Sequence, residues 1–226
     1  MNRFCRAACV SVLTVAWSSS AAAQLPNAPI LQNVWANPGM VGAFNMGGGS
    51  GGSVYAGAGS WTPSSGRFQV SGGLGAQVLT NGGGSNFAYG ARLALPLGGA
   101  GSSFGFGAFA GVGGGGAKRT VVDSITRDTL ASNATTTLIP VGGSVGWRRS
   151  IGSSHGFSIY ATPSYVFLTG GGTSGGVFRA GLGADVGITQ SIGLTGGVEF
   201  GQTKSSLGGP SGTMYGLGVS YAFGQR

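Results

Sequence analysis

The segment VFRAGLGADVGIT, residues 177–189, alternates between apolar residues and residues that are charged or lack a side chain. Successive side chains of a β-strand point to opposite faces, so the apolar set lies on one face. The other face carries Arg179 and Asp185 among glycines. The segment is also longer than the usual strand of about 5–6 residues. A strand of this kind requires an apolar surrounding on one side and a narrow polar space on the other.

The same two-residue period recurs along most of the chain and predicts ten strands. Each is close to the length of about 9–11 residues that crosses a bilayer at a tilt. The first two are the weakest, which leaves eight strands as the alternative. The predicted strands are 40–46, 53–61, 68–78, 87–95, 104–112, 139–147, 157–167, 177–189, 192–203 and 215–223.

The composition excludes several classes of protein. Only 7% of the residues are Asp, Glu, Lys or Arg, and the mean hydropathy is +0.25 although 50 residues are glycine. Disordered chains have low hydrophobicity and high charge, so glycine richness does not indicate disorder here. The net charge of +8 is spread without a dense basic cluster, which argues against nucleic-acid binding.

Residues 1–23 have the pattern of a secretory signal peptide. Arg3 and Arg6 precede an apolar stretch, and Ala21-Ala22-Ala23 provides small residues for cleavage before Gln24. Both cysteines of the chain, at positions 5 and 9, lie inside this segment. We therefore expect an exported mature protein without a thiol, a disulfide, a metal or another cofactor.

An exported, apolar chain of alternating strands fits a closed transmembrane β-barrel. Every backbone N–H and C=O in hydrocarbon must be paired, so a sheet there has to close on itself. Short links at 62–66, 97–102, 149–155 and 189–191 alternate with longer ones, as periplasmic turns alternate with outer loops. The predicted fold is all-β: a periplasmic segment at 24–38, then an antiparallel barrel at 39–226.

The turn at TQS, residues 189–191, also predicts a register between its two strands. If the turn is centred near Gln190, Arg179 faces Gly201 and Glu199 lies diagonally beside it on the inward face. Diagonal neighbours are within reach of long side chains. We expect an ion pair between Arg179 and Glu199 inside the barrel, with Arg92 and Asp185 as further members.

The last strand, MYGLGVSYAF, resembles the C-terminal signal by which Gram-negative outer-membrane barrels are recognised for assembly. Gly218, Tyr221 and Phe223 carry the match, whereas Gly216 and the three residues after Phe223 depart from it. The chain resembles the small outer-membrane barrels of the opacity and outer-membrane-protein-A types. This resemblance implies an outer-membrane location, contact with membrane lipid and lipopolysaccharide, and assembly by the barrel-assembly machinery.

Two other patterns point to more specific functions. Asn37-Pro38-Gly39 is similar to an element of hydrophobic-compound transport barrels, but the same tripeptide is a common turn. His155, beside Ser153 and Ser154, provides two groups of an acyl-transfer site, but it lies in a predicted periplasmic turn without an orienting third group.

The longest predicted outer loop, residues 113–133, holds most of the charge outside the barrel. It is either a surface-contact element, for lipopolysaccharide phosphates or a partner, or a solvated hairpin without a ligand. Its charged residues are Lys118, Arg119, Asp123, Arg127 and Asp128.

We therefore predict a non-enzymatic outer-membrane barrel with a structural or surface-contact role. A narrow pore or small-solute transporter is the main alternative, because inward glycine is compatible with a water-filled lumen. A lipid-modifying enzyme and a secreted glycine-rich β-fibre are further alternatives.

Overall fold

The computed structural model describes residues 25–80, 84–97, 102–122, 129–151, 155–170, 173–201 and 212–223. These contain ten β-strands, and among them no helix is long and apolar enough to cross a membrane. The strands are β1 (Gly39–Gly49), β2 (Gly52–Thr62), β3 (Gln69–Leu79), β4 (Ser85–Pro96), β5 (Phe104–Val122), β6 (Thr129–Ile151), β7 (His155–Gly170), β8 (Thr173–Gly187), β9 (Ile192–Gly201) and β10 (Gly212–Phe223).

The strands form one closed antiparallel barrel in which each strand pairs with its neighbours in the sequence. β1 and β10 complete the closure, with Met40 opposite Phe223 and Gly48 opposite Tyr215. The all-β fold with ten strands is therefore confirmed, and the alternative with eight strands is wrong. The two weakly patterned strands are required because β1 closes the barrel and β2 joins it to β3.

The barrel has two distinct ends. The turn end carries the links 63–68, 97–103, 152–154 and 188–191, together with the start of β1 and the end of β10. The loop end carries the links 50–51, 80–84, 123–128, 171–172 and 202–211. Both ends of the strand sequence thus lie at the turn end, which an even number of strands requires.

β5 and β6 continue beyond their neighbours at the loop end. Their pairing runs on to Val122 and Thr129, whereas β4 pairs with β5 only as far as Gly115. The predicted loop at 113–133 is therefore largely a two-stranded ladder. β-branched residues at 120–122 suit extended backbone, and this favours strands where the sequence analysis placed a loop.

The outward face of the wall is apolar along all ten strands. Phe178 is 62% exposed and Leu182 53%, while their neighbours Arg179, Gly181 and Gly183 are buried. The two faces of β8 therefore follow the predicted alternation. A continuous exposed apolar surface of this kind marks contact with a membrane or a partner, and its closed cylindrical form matches a hydrocarbon band around a barrel.

Candidate functional site

The residues ahead of β1 lie inside the barrel. Leu25, Asn27 and the whole stretch 29–35 are buried. The sequence predicts a periplasmic segment at 24–38, whereas the described residues from Leu25 to Ala36 lie within the wall and most of them are buried. We call residues 25–36 the lumen segment.

Inward glycines make room for the lumen segment. A Cβ on Gly181 would lie 2.6 Å from the carbonyl oxygen of Ile30, and one on Gly197 would lie 2.8 Å from a methyl carbon of Leu31. On Gly105 the nearest atom would be a Val34 methyl carbon at 2.7 Å. At Gly181 the crowding atom is a backbone oxygen of the segment, so β8 approaches the segment there only as glycine. At Gly105 and Gly197 the segment atoms are side-chain methyl carbons, and at Gly197 the Leu182 carbonyl oxygen of the wall is nearer still, at 2.5 Å.

Arg92 of β4 binds the middle of the lumen segment. Its Nη1 donates to the carbonyl oxygen of Leu31 at 2.8 Å and to Oε1 of Gln32 at 3.1 Å. Its guanidinium also lies 5.5 Å from the centre of the Phe109 ring, within the range of a cation–π contact. A buried cation thus satisfies two acceptors of a segment that has no strand partner.

Glu199 of β9 connects the wall to the lumen segment from the side of the barrel opposite β4. Arg179 Nη1 lies 2.6 Å from Glu199 Oε1, and the backbone N–H of Ile30 donates to the other carboxylate oxygen. The β8–β9 register is the predicted one, with Arg179 opposite Gly201 and Gly181 opposite Glu199. Glu199 is only 1% exposed, so both of its oxygens act inside the lumen.

Asp185 makes the third polar connection. Its carboxylate accepts hydrogen bonds from the side-chain amide of Asn33 and from the Tyr160 hydroxyl, the latter at 3.1 Å. The same Asn33 amide lies 3.0 Å from the Ser158 hydroxyl. The structure therefore brings Arg92, Asp185 and Glu199 into contact with one segment, whereas the sequence analysis grouped them only with each other.

The turn end is closed by the last residues of the segment. Val34 and Trp35 are buried against Gly105 and Gly146, and the Arg148 guanidinium lies 4.8 Å from the centre of the Trp35 ring. At the loop end, Leu25 packs in an apolar cluster with Val54, Ala56 and Ala88. The segment therefore passes through the lumen from one mouth to the other.

The sequence carried a signal for this arrangement that the sequence analysis did not use. PILQNVW, residues 29–35, contains Ile, Leu, Val and Trp yet is too short and irregular for a spanning strand. Large apolar residues seldom remain exposed in a short tail, and an interior lined with glycine has space to receive them.

The predicted assembly residues lie on both faces of β10. Tyr221 and Phe223 are exposed on the outer surface, whereas Gly218 points inward beside the Asn45 side chain. Among the predicted loop residues, Lys118 and Arg119 belong to the β5–β6 ladder, opposite Asn133 and Ser132. Asp123, Arg127 and Asp128 lie outside the described residues.

His155 is the first residue of β7 and pairs with Ile151. Ser153 and Ser154, its proposed companions in acyl transfer, lie outside the described residues. The titratable residues that the structure brings together are buried: Arg92, Asp185 and Glu199 bind the lumen segment, and Arg179 pairs with Glu199. Their arrangement binds polypeptide groups of the chain itself.

No protein-family model matches the sequence, and no curated protein matches it significantly. Among solved structures, the β domain of the Bordetella autotransporter BrkA matches with a TM-score of 0.58 at 16% identity, over 84% of this chain and 86% of that one. Neisserial surface protein A matches at 13% identity over 81% of this chain and 94% of that one, with a low TM-score of 0.34. A porin matches at 15% identity over 83% of this chain and 60% of that one, also with a low TM-score of 0.35. The resemblance to bacterial outer-membrane β-barrels is thus confirmed at the level of the fold.

Proposed function

We propose that this protein is a non-enzymatic integral barrel of the Gram-negative outer membrane, with a structural or surface-contact role, whose lumen segment seals it. The observation that carries the proposal is the position of residues 25–36. They occupy the lumen and are held by Arg92, Glu199 and Asp185. A barrel filled in this way would leave little room for a continuous aqueous path along its axis.

The outer surface supports the placement in a membrane. The outward positions of β8, β9 and β10 are mostly large apolar side chains, about half exposed, with small residues such as Ala180 and Gly196 between some of them. Water would make such a surface costly, because burial of apolar area contributes about 25 cal/mol per Å². Lipid and lipopolysaccharide would cover this apolar surface. The barrel-assembly machinery would recognise the last strand, whose Tyr221 and Phe223 face outward.

Planar-bilayer conductance on refolded protein tests the sealed lumen. We expect the native chain to show no stable open-channel steps, and a variant lacking residues 25–35 to conduct. The heat-dependent mobility of both proteins on gels reports whether the barrel has folded. Stable channel steps from the native chain would favour the pore or transporter instead.

A double cysteine variant tests the sealed lumen even if the deletion variant does not fold. Gln32→Cys with Thr162→Cys places two thiols where the backbone N–H of Gln32 donates to the Thr162 hydroxyl on β7. Oxidation would join the segment to the wall by a disulfide, and reduction would leave it held by its native contacts alone. Native-like silence in both states supports the seal. Steps that persist in the oxidised protein would show that ions bypass the segment and would overturn the proposal.

A further inference from the structure

The lumen segment has a direction, which its contacts reveal in sequence order. Leu25 lies beside Val54 and Ala88, near the start of β2 and of β4 at the loop end. Ile30 and Leu31 lie beside Gly181 and Gly197, in the middle of β8 and β9. The segment therefore descends from the loop end as the residue number rises.

Its lower part reaches the turn end. Val34 and Trp35 contact Gly105, the second residue of β5. The carbonyl oxygen of Ala36 is 4.0 Å from the Cβ position of Gly66, in the link between β2 and β3. The chain then reverses at Pro38 and enters β1, so the segment and β1 run in opposite directions.

The two ends of the segment are held by different kinds of contact. At the turn end the Trp35 ring is covered by Arg148, and Val34 fits against two glycines. At the loop end a Cβ on Gly115 would lie 3.2 Å from the Pro26 ring, and one on Gly47 would lie 3.2 Å from the Cα of Ala28. Both ends are thus in contact with the wall, and at the loop end residues 25–28 form a turn in which the Ala28 N–H donates to the Leu25 carbonyl oxygen at 3.2 Å.

The loop end is the outer end of a bacterial barrel. Such barrels carry their longer elements on the outer side, and here the β5–β6 ladder and the ten-residue link 202–211 are both at the loop end, although the links 50–51 and 171–172 there have only two residues each. This step rests on the membrane placement proposed above. It follows that Leu25, the first described residue, lies toward the outer mouth, on the side opposite the first residue of β1.

We propose that the barrel displays its amino-terminal end on the cell surface, with the lumen segment as a tether through the membrane. Cleavage of the signal peptide after Ala23 would then leave the new amino terminus at the outer mouth. A polypeptide joined ahead of Leu25 would be held outside by a segment that also closes the pore.

An epitope inserted between Gln24 and Leu25 tests the direction. Antibody binding to intact cells is measured against binding to permeabilised cells. The same epitope between Ser64 and Ser65 marks the turn end, and one between Ser205 and Ser206 marks the loop end. Heat-dependent mobility selects the insertions that have folded, and the size of the mature protein shows whether the signal peptide has been removed.

We expect the epitope after Gln24 to be detected on intact cells as fully as the one after Ser205, with the Ser64 epitope detected only after permeabilisation. Detection of the Gln24 epitope only after permeabilisation, alongside a visible Ser205 epitope, would overturn the display. Conductance is measured separately. A conducting barrel with a displayed terminus would contradict the seal alone, and a silent barrel with a hidden terminus would contradict the display alone.

Discussion

Glycine has different surroundings on the two faces of the wall. On the outer face, a Cβ at Gly57 would meet nothing within 4 Å, and at Gly72 the nearest atom would be 3.7 Å away. On the inner face, Gly181 and Gly216 would place a Cβ 2.6 Å from Ile30 and 2.8 Å from Pro29. These two outer glycines leave open space, whereas these two inner ones face the lumen segment. Other glycines on both faces are covered by wall side chains, as Gly176 is by Tyr165 and Gly183 is by Tyr160.

The number of strands accounts for this difference. A barrel of about eight strands has an interior just wide enough for its own side chains to fill, and the diameter grows with strand number. Ten strands with glycine at many inward positions leave more space than the wall side chains occupy. The lumen segment fills that space and provides partners for Arg92, Asp185 and Glu199.

The inner face should be most sensitive at Glu199. Glu199→Ala removes the partner of Arg179 and the acceptor of the Ile30 N–H, which leaves a buried cation without its anion. Breaking a buried ion pair in this way costs about 3–5 kcal/mol. Urea unfolding from lipid vesicles, followed by tryptophan fluorescence, measures the loss.

Arg179→Ala with Glu199→Ala provides the control for that prediction. Removing both charges should cost less than the sum of the two single losses, since neither charge is then left unpaired. Losses that simply add would show that the two residues act independently, in spite of the 2.6 Å between them.

The outer face should respond to charge according to depth. Leu182 lies in the middle of β8 and faces outward. Leu182→Arg should cost about 2–4 kcal/mol, and the same change at Ile188, just beyond the end of β8, about 0–1 kcal/mol. The measurement is again unfolding from lipid vesicles. Equal costs at the two positions would argue against a hydrocarbon band around the barrel.

The wall was predictable from the sequence because its signal is local. Period-two alternation needs only neighbouring residues, and the TQS turn fixed the β8–β9 register by counting, which placed Arg179 opposite Gly201. β1 was the hardest strand to recognise, since its pattern is interrupted by glycine at 47–49.

The contents of the lumen were not predictable in the same way. Contacts such as Asn33 with Asp185 join residues 152 positions apart and follow no period. Alternation shows that Asp185 points inward. The two-residue period is the same whether the Asp185 carboxylate contacts water, a neighbouring side chain or a distant segment. Only the high proportion of glycine among the inward positions indicates that something else is needed to fill the interior.

The smallest effect expected on folding separates the two kinds of glycine. Gly181→Ala brings a Cβ to 2.6 Å from a backbone oxygen that has little freedom to move, and overpacking of this kind costs about 1–3 kcal/mol. Gly57→Ala is the matched control on the outer face, where the space is open. It should change stability by less than about 1 kcal/mol, in the stabilising direction.

The same two substitutions in a chain lacking residues 25–35 identify what fills the space at Gly181. There the cost of Gly181→Ala should fall to that of Gly57→Ala, because the Ile30 oxygen is gone. If the cost is unchanged, the crowding at Gly181 comes from the wall itself, and the inward glycines serve the strands rather than the segment.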